Sequence, residues 1–290
     1  MPRPELPEVR ASVAVIMLFM FAAFFARSWL QTYLTKAGYA PAFALDLSFF
    51  VVLPITAVLM WPIMRENVAA MRHWFRPPAS WCRLLAYSVL LGVALRIVYW
   101  AGLTAGLAFG QLYSSNFPTV ATAQFWFSCP APPALALAIL VRAVLTPLLE
   151  EFIHRGYVFH ALLPRGNAQA IILSAVLFGA LHNTQTMVLA FLFGLLLAVM
   201  TLNLRTLWGP IIVHATFNLA AIFDWDCLHA SWNPAATTPR HAVIGSVALL
   251  TMLLCIALII TLIRLGKAGA QIAPRPDASS INETNSQPAR

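Results

Sequence analysis

Long apolar runs recur from Ala11 to Ile263, each about as long as a helix must be to cross a bilayer. No stretch alternates as the strands of a membrane β-barrel do. In hydrocarbon every backbone N–H and C=O must find a partner within the protein, which leaves helices as the one spanning structure these runs can form. The expected fold is all-α: a polytopic membrane helix bundle of about eight transmembrane helices around a polar cavity. The spans fall near Ala11–Leu30, Ala42–Trp61, Leu84–Leu107, Ala134–Ala161, Ala170–Thr186, Met187–Leu202, Leu207–Asp224 and Ala242–Ile263. Only His182–Thr186 separates the fifth from the sixth, so this pair reads as a tight hairpin or as one kinked element. The first run is longer than a signal-peptide core and has no clear small-residue cleavage site, so it is expected to be retained.

Residues 1–10 form the N-terminus, 11–265 a single membrane domain with its motif core at 141–223, and 266–290 a polar, Pro-containing tail expected to be disordered. The basic, aromatic segment Met64–Arg83 is expected to rest on the membrane surface.

The chain is 60% hydrophobic and 10% charged with a net charge of +8, whereas a soluble domain carries about a quarter charged residues. The positive charge sorts by loop. With the N-terminus inside, only Arg27, Lys36 and Arg240 fall outside, Arg96, Arg142 and Arg155 fall within spans, and every other Lys and Arg is inside. This is the positive-inside pattern. It implies a multi-pass integral membrane protein, of a bacterial inner membrane, with both termini cytoplasmic. The expected partners are membrane lipids and a membrane-anchored protein or peptide substrate; no nucleic acid is needed to account for the charge. Of the four cysteines, Cys129 and Cys227 share the outer face, where a disulfide between them and mere co-location are both open. No CxxC is present, which argues against a thiol redox motif or a zinc ribbon.

Acids are scarce, and only Asp46, Glu150 and Glu151 lie well inside spans. An ionised acid at mid-bilayer costs on the order of 3 kcal/mol even on a lenient scale, so two side by side invite a functional reading. Glu151 and Arg155 are four apart on one helix face and can pair, while Glu150 is rotated by about 100° and faces elsewhere. Two later helices carry matching groups: Phe178 and His182 four apart, and His214 and Asn218 four apart. A carboxylate beside a His can deprotonate water, and a second His with an Asn amide can donate to a developing oxyanion. These parts suit hydrolysis of an amide bond within the membrane. Glu150, His182 and His214 also make a legitimate three-ligand zinc set; there is no HExxH, and metal-free chemistry, with no cofactor, is favoured over zinc. His154, four residues after Glu150, is within reach of it. Asp46, Arg96 and Arg142 read as interhelical pairs in preference to cavity-lining groups.

The set Glu150-Glu151-x-x-x-Arg155, Phe178-x-x-x-His182 and His214-x-x-x-Asn218, in this order on successive hydrophobic helices, resembles the CPBP family of intramembrane proteases, the CAAX-protease and bacteriocin-processing (ABI) family. The resemblance covers about 141–223. It implies an eight-helix core with a conical cavity, water activation by Glu150 with His182, an oxyanion site of His214 and Asn218, and support from Glu151, Arg155 and Phe178. The family has been described both as zinc metalloproteases and as glutamic-type proteases. Its members trim prenylated C-termini, mature bacteriocins or serve C-terminal sorting systems. The function expected is therefore cleavage of a peptide bond near the C-terminus of a membrane-associated protein or peptide. The alternatives are a non-catalytic membrane scaffold or immunity protein, or a proton-coupled transporter using the same polar cluster. Transporters of the latter kind often carry matched inverted repeats, and none is visible here.

Overall fold

The computed structural model describes residue 9 and residues 12–113, 124–184, 186–231 and 241–270. Its helices are α1 (Val13–Lys36), α2 (Pro41–Arg65), the short α3 (Val68–Trp74), α4 (Trp81–Tyr113), α5 (Pro132–Arg165), α6 (Asn167–Ala180), α7 (Met187–Leu204), α8 (Trp208–Ile222) and α9 (His241–Ala270). Six of these (α1, α2, α4, α5, α7 and α9) are long and apolar enough to cross a membrane; α6 and α8 are shorter apolar helices. At 1.5 Å per residue the 14 residues of α6 and the 15 of α8 span only about 21–23 Å, less than the roughly 30 Å of a hydrocarbon core. The segment His182–Thr186 is a hairpin turn: the His182 N–H donates to the Gly179 carbonyl and the Met187 N–H to that of Asn183. Helix α9 runs to Ala270, past the 266 boundary that composition suggests. Residues 1–8 and 271–290 lie outside the described residues.

The outward faces of α1, α2 and α9 are lined by large apolar side chains such as Leu18, Phe25, Val58, Val243 and Leu254, each more than 60% exposed. On a soluble protein so wide an apolar surface would drive aggregation; here it is the lipid-facing belt that the sequence calls for. Arg27, expected in an outer loop, is a residue of α1 and lies over the rings of Phe24 and Phe49.

Helix α5 is continuous but not uniform. It widens into π turns at Ile139–Leu145 and Phe152–Val158, on either side of Thr146–Glu151. Such turns shift backbone bonding by one residue and cluster at functional sites. At the far end, strands β1 (Gln124–Phe127) and β2 (Leu228–Ser231) pair antiparallel, with Phe127 opposite Leu228. Cys129 and Cys227, just inside this ribbon, form a disulfide.

Within the segment 64–83, most of which is exposed, the short helix α3 is anchored through Trp74. Trp74 is 1% exposed and packs on the rings of Phe152, Tyr157 and His160 at centroid distances of 6.1, 5.1 and 5.1 Å. The Trp74 carbonyl accepts from the Leu207 N–H, which ties α3 to the start of α8. Trp74 fits because residue 156 is glycine: a Cβ there would stand 2.9 Å from the indole. Gly156→Ala is expected to cost about 1–3 kcal/mol by overpacking, read as a lower unfolding temperature in detergent. An unchanged temperature would mean that the plug is loosely held.

Candidate active site

Helices α5 and α8 meet through His214. Its Nδ1 lies 2.8 Å from Glu151 Oε1, and its Nε2 lies 3.9 Å from Glu150 Oε2. The two neighbouring carboxylates therefore sit in different surroundings. The Glu151 side chain is 0% exposed and that of Glu150 18%. Besides His214, Glu151 is held by Arg155, whose Nη1 donates to Oε1 at 3.2 Å and whose Nε lies 3.1 Å from Oε2. Arg155 in turn donates from Nη2 to the Gly194 carbonyl on α7 at 3.3 Å and stacks over the Phe178 ring at 4.3 Å. Helix α7 comes this close because residue 194 is glycine, beside Ala175 of α6. A buried charge pair is tolerated when its charges are compensated and most of its hydrogen-bonding capacity is met; here Glu151 Oε1 accepts from both Arg155 and His214, whereas Glu151 Oε2 and Arg155 Nε are in ion-pair contact without a hydrogen bond.

A carboxylate can only accept, so the proton in the Glu151–His214 bond is on Nδ1. This sets the ring's orientation and leaves Nε2 toward Glu150, as a lone pair in the neutral ring or as a donor in the imidazolium. The rings of Phe178 and Phe193 stand nearly perpendicular to the imidazole, with centroids 6.1 and 5.2 Å from its own, and close two sides of it.

Asn218, one turn beyond His214 on α8, donates from Nδ2 to the Arg142 carbonyl at 2.9 Å. The bond has a local cause in α5. Within the first π turn the Thr146 N–H reaches back to Val141, and the next residue, Pro147, has no N–H at all. The Arg142 carbonyl thus lacks both of its helical donors, and a buried carbonyl left unpaired is costly; Asn218 supplies the missing bond. The Arg142 side chain is clamped between Asp46 at 2.7 Å and Asp226 at 2.9 Å. Arg96 likewise pairs with Asp224, which also accepts from Trp100. These are the interhelical pairs that the sequence favoured.

His182 sits at the turn after α6, where its Nδ1 donates to the Phe178 carbonyl at 2.9 Å and its ring lies 4.8 Å from that of Phe178. The structure thus brings Glu150, Glu151, Arg155 and His214 into direct contact, sets Phe178 among them at 1% exposure, and joins His182 and Asn218 through backbone carbonyls. His154, within reach of Glu150 on spacing alone, packs edge-on against Phe178 at 5.1 Å instead, and its Nδ1 has no hydrogen-bond partner among the described residues. Among those residues no three His, Cys, Asp or Glu side chains are grouped closely enough to hold a metal ion. Phe193, Gly194 and Pro147 did not stand out in the sequence, although a proline three residues before paired intramembrane acids is a visible signal.

No curated protein matches the chain. A family model described as Rce1-like, type II CAAX prenyl endopeptidase Rce1-like, matches residues 132–220. That segment runs from the first residue of α5 to within two residues of the end of α8 and includes every residue of the cluster just described. Over this segment, which carries all three motifs, the chain is similar to the CAAX-type proteases of the CPBP family.

Proposed function

We propose that this protein is an intramembrane endopeptidase of the glutamic type, which hydrolyses a peptide bond near the C-terminus of a membrane-associated protein or peptide. The observation that carries the reading is the inequality of the two carboxylates. Glu151 is buried and neutralised by Arg155, whereas Glu150 is part-exposed and faces His214. In the proposed reaction Glu150, with His182, takes a proton from water as the oxygen attacks the scissile carbonyl. The carbonyl π bond becomes an oxyanion, which accepts from His214 Nε2–H and from the second amide hydrogen of Asn218. Collapse of the tetrahedral intermediate breaks the C–N bond, and Glu150 returns the proton to the leaving amine. Glu151 stabilises the imidazolium form of His214, so that the ring donates rather than accepts. The Rce1-like match supports a prenylated C-terminal motif as the substrate class. We place eight helices in the bilayer, the short α6 and α8 included, in a bacterial inner membrane with both termini cytoplasmic.

The test is cleavage of a membrane-anchored peptide library by purified protein, with elemental analysis of the same sample. Cleavage near the C-terminus without stoichiometric zinc, persisting under chelation, is the expected result. One zinc per chain, lost together with activity on chelation, would make Glu150, His182 and His214 ligands and overturn the glutamic reading. Absence of cleavage for every peptide would favour a non-catalytic scaffold or immunity role.

A further inference from the structure

A cavity of about 290 Å³ opens at the other end of the bundle from the disulfide. Its wall includes His73 and Trp74 of α3, His160 of α5, Asn167 at the start of α6, and Asn203 and Arg205 at the end of α7. No Asp or Glu lines it. Burial first, and then the charges of Arg76 and Arg205, hold the His73 imidazole below its usual range, so the surroundings are electropositive. Arg72, Arg83 and Arg165 lie in the neighbouring loops and helix ends of the same basic end.

The cavity wall is rich in donors. His160 uses Nδ1 on the Arg155 carbonyl, at 2.6 Å. Two of the lining residues carry a buried nitrogen with no hydrogen-bond partner among the described residues, Trp74 Nε1 and His73 Nε2. Trp74 is 1% exposed, and a buried indole N–H normally finds an acceptor. Helix α6 begins at this cavity without a side-chain cap, adding open backbone N–H groups and the positive end of its dipole, whereas at the start of α8 the Trp208 N–H is taken by the Thr206 hydroxyl. Arg205 holds a left-handed backbone, φ 53° and ψ 30°, at the C-cap of α7. Among the described residues it is the one non-glycine residue with positive φ. Glycine is the residue that position ordinarily favours. A guanidinium stands where chain geometry alone would select no side chain.

We propose that this cavity is a binding site for a phosphate-class anion, a phosphate monoester or diester, held by Arg205 with His73 and the Asn167 and Asn203 amides. Its volume is that of about ten water molecules, enough for a glycerophosphate-sized group. The anion has two sources, the headgroup of an anionic phospholipid reaching in from the adjoining leaflet or a free phosphate. The site lies apart from Glu150 and does not depend on the proteolytic reading.

Full-length protein in detergent would be titrated calorimetrically with inorganic phosphate, and by native mass spectrometry with dioctanoyl-phosphatidylglycerol and with dioctanoylglycerol, which lacks the phosphate. Saturable binding of the phospholipid, displaced by phosphate and absent for dioctanoylglycerol, is expected for a lipid headgroup site. Binding of phosphate without the phospholipid assigns the free anion. In either case Arg205→Gly should weaken binding at least tenfold while the unfolding temperature stays the same or rises, because glycine accepts the left-handed backbone without strain. Glu150→Gln should bind as the wild type does. The proposal is overturned if neither phosphate ligand binds, if dioctanoylglycerol binds equally well, or if Arg205→Gly and His73→Gln together leave affinity unchanged.

Discussion

Glu150→Gln is expected to lower kcat/KM by about three orders of magnitude while the protein folds and purifies as the wild type does. The amide keeps the shape of the acid but cannot take a proton from water. A positioned general base contributes roughly 10²–10⁴ in rate, and a thousandfold loss corresponds to about 4 kcal/mol of transition-state stabilisation. Folding should be spared because the Glu150 side chain is part-exposed and makes no close contact with His214, whose Nε2 stands 3.9 Å away. Its neighbour provides the contrast within the same helix turn: Glu151→Gln removes the negative charge between Arg155 and His214 and turns one of the two oxygens into a donor, and should damage folding as well. A Glu150→Gln protein that cleaves at the wild-type rate would remove Glu150 from the mechanism and, with it, the proposed reading of the cluster.

The second large effect concerns stability. Arg155→Ala would strand Glu151 at 0% exposure with His214 as its remaining partner, and would also leave the Gly194 carbonyl and the Phe178 ring face without their cation. Removing one partner of a buried ion pair typically costs about 3–5 kcal/mol, because the other charge stays behind uncompensated. A small loss of folded protein in detergent is not expected; most of it should be lost, as measured by size-exclusion chromatography and thermal unfolding. Arg155→Ala combined with Glu151→Ala should recover part of the loss, since both charges are then absent. Wild-type yield of folded Arg155→Ala would show that Glu151 is accommodated without its ion pair.

The spans were readable because apolar length is a one-dimensional property, and α1, α2, α4, α5, α7 and α9 follow it. The Glu151–Arg155 pair was readable for a related reason: spacing of four within one helix fixes adjacency. Contacts between helices were harder. Depth along a helix brings His214 near the level of the two acids, but which carboxylate it meets depends on rotation, and no spacing rule gives that. The aromatic, basic composition of 64–83 gave no sign that Trp74 is buried, because the notch at Gly156 that receives it is far away in sequence. The role of Asn218 was half legible. Its spacing from His214 marked it as a site residue, whereas its bond to the Arg142 carbonyl required Pro147 to be read as a missing donor.

The disulfide joins residues 98 apart in sequence, and α5, α6, α7 and α8 all lie inside the ring it closes. During translation at about 5–20 residues per second, Cys227 is made roughly 5–20 s after Cys129. Throughout that interval Cys129 has no partner, while four helices must be inserted and turned so that both ends of the stretch arrive at one place. Oxidation can follow only when the last of them has taken its position. The thiol state of a newly made chain is therefore a record of its biogenesis: a trapped free Cys129 marks a chain whose four enclosed helices have not yet been gathered, and the closed ring marks one whose assembly is complete.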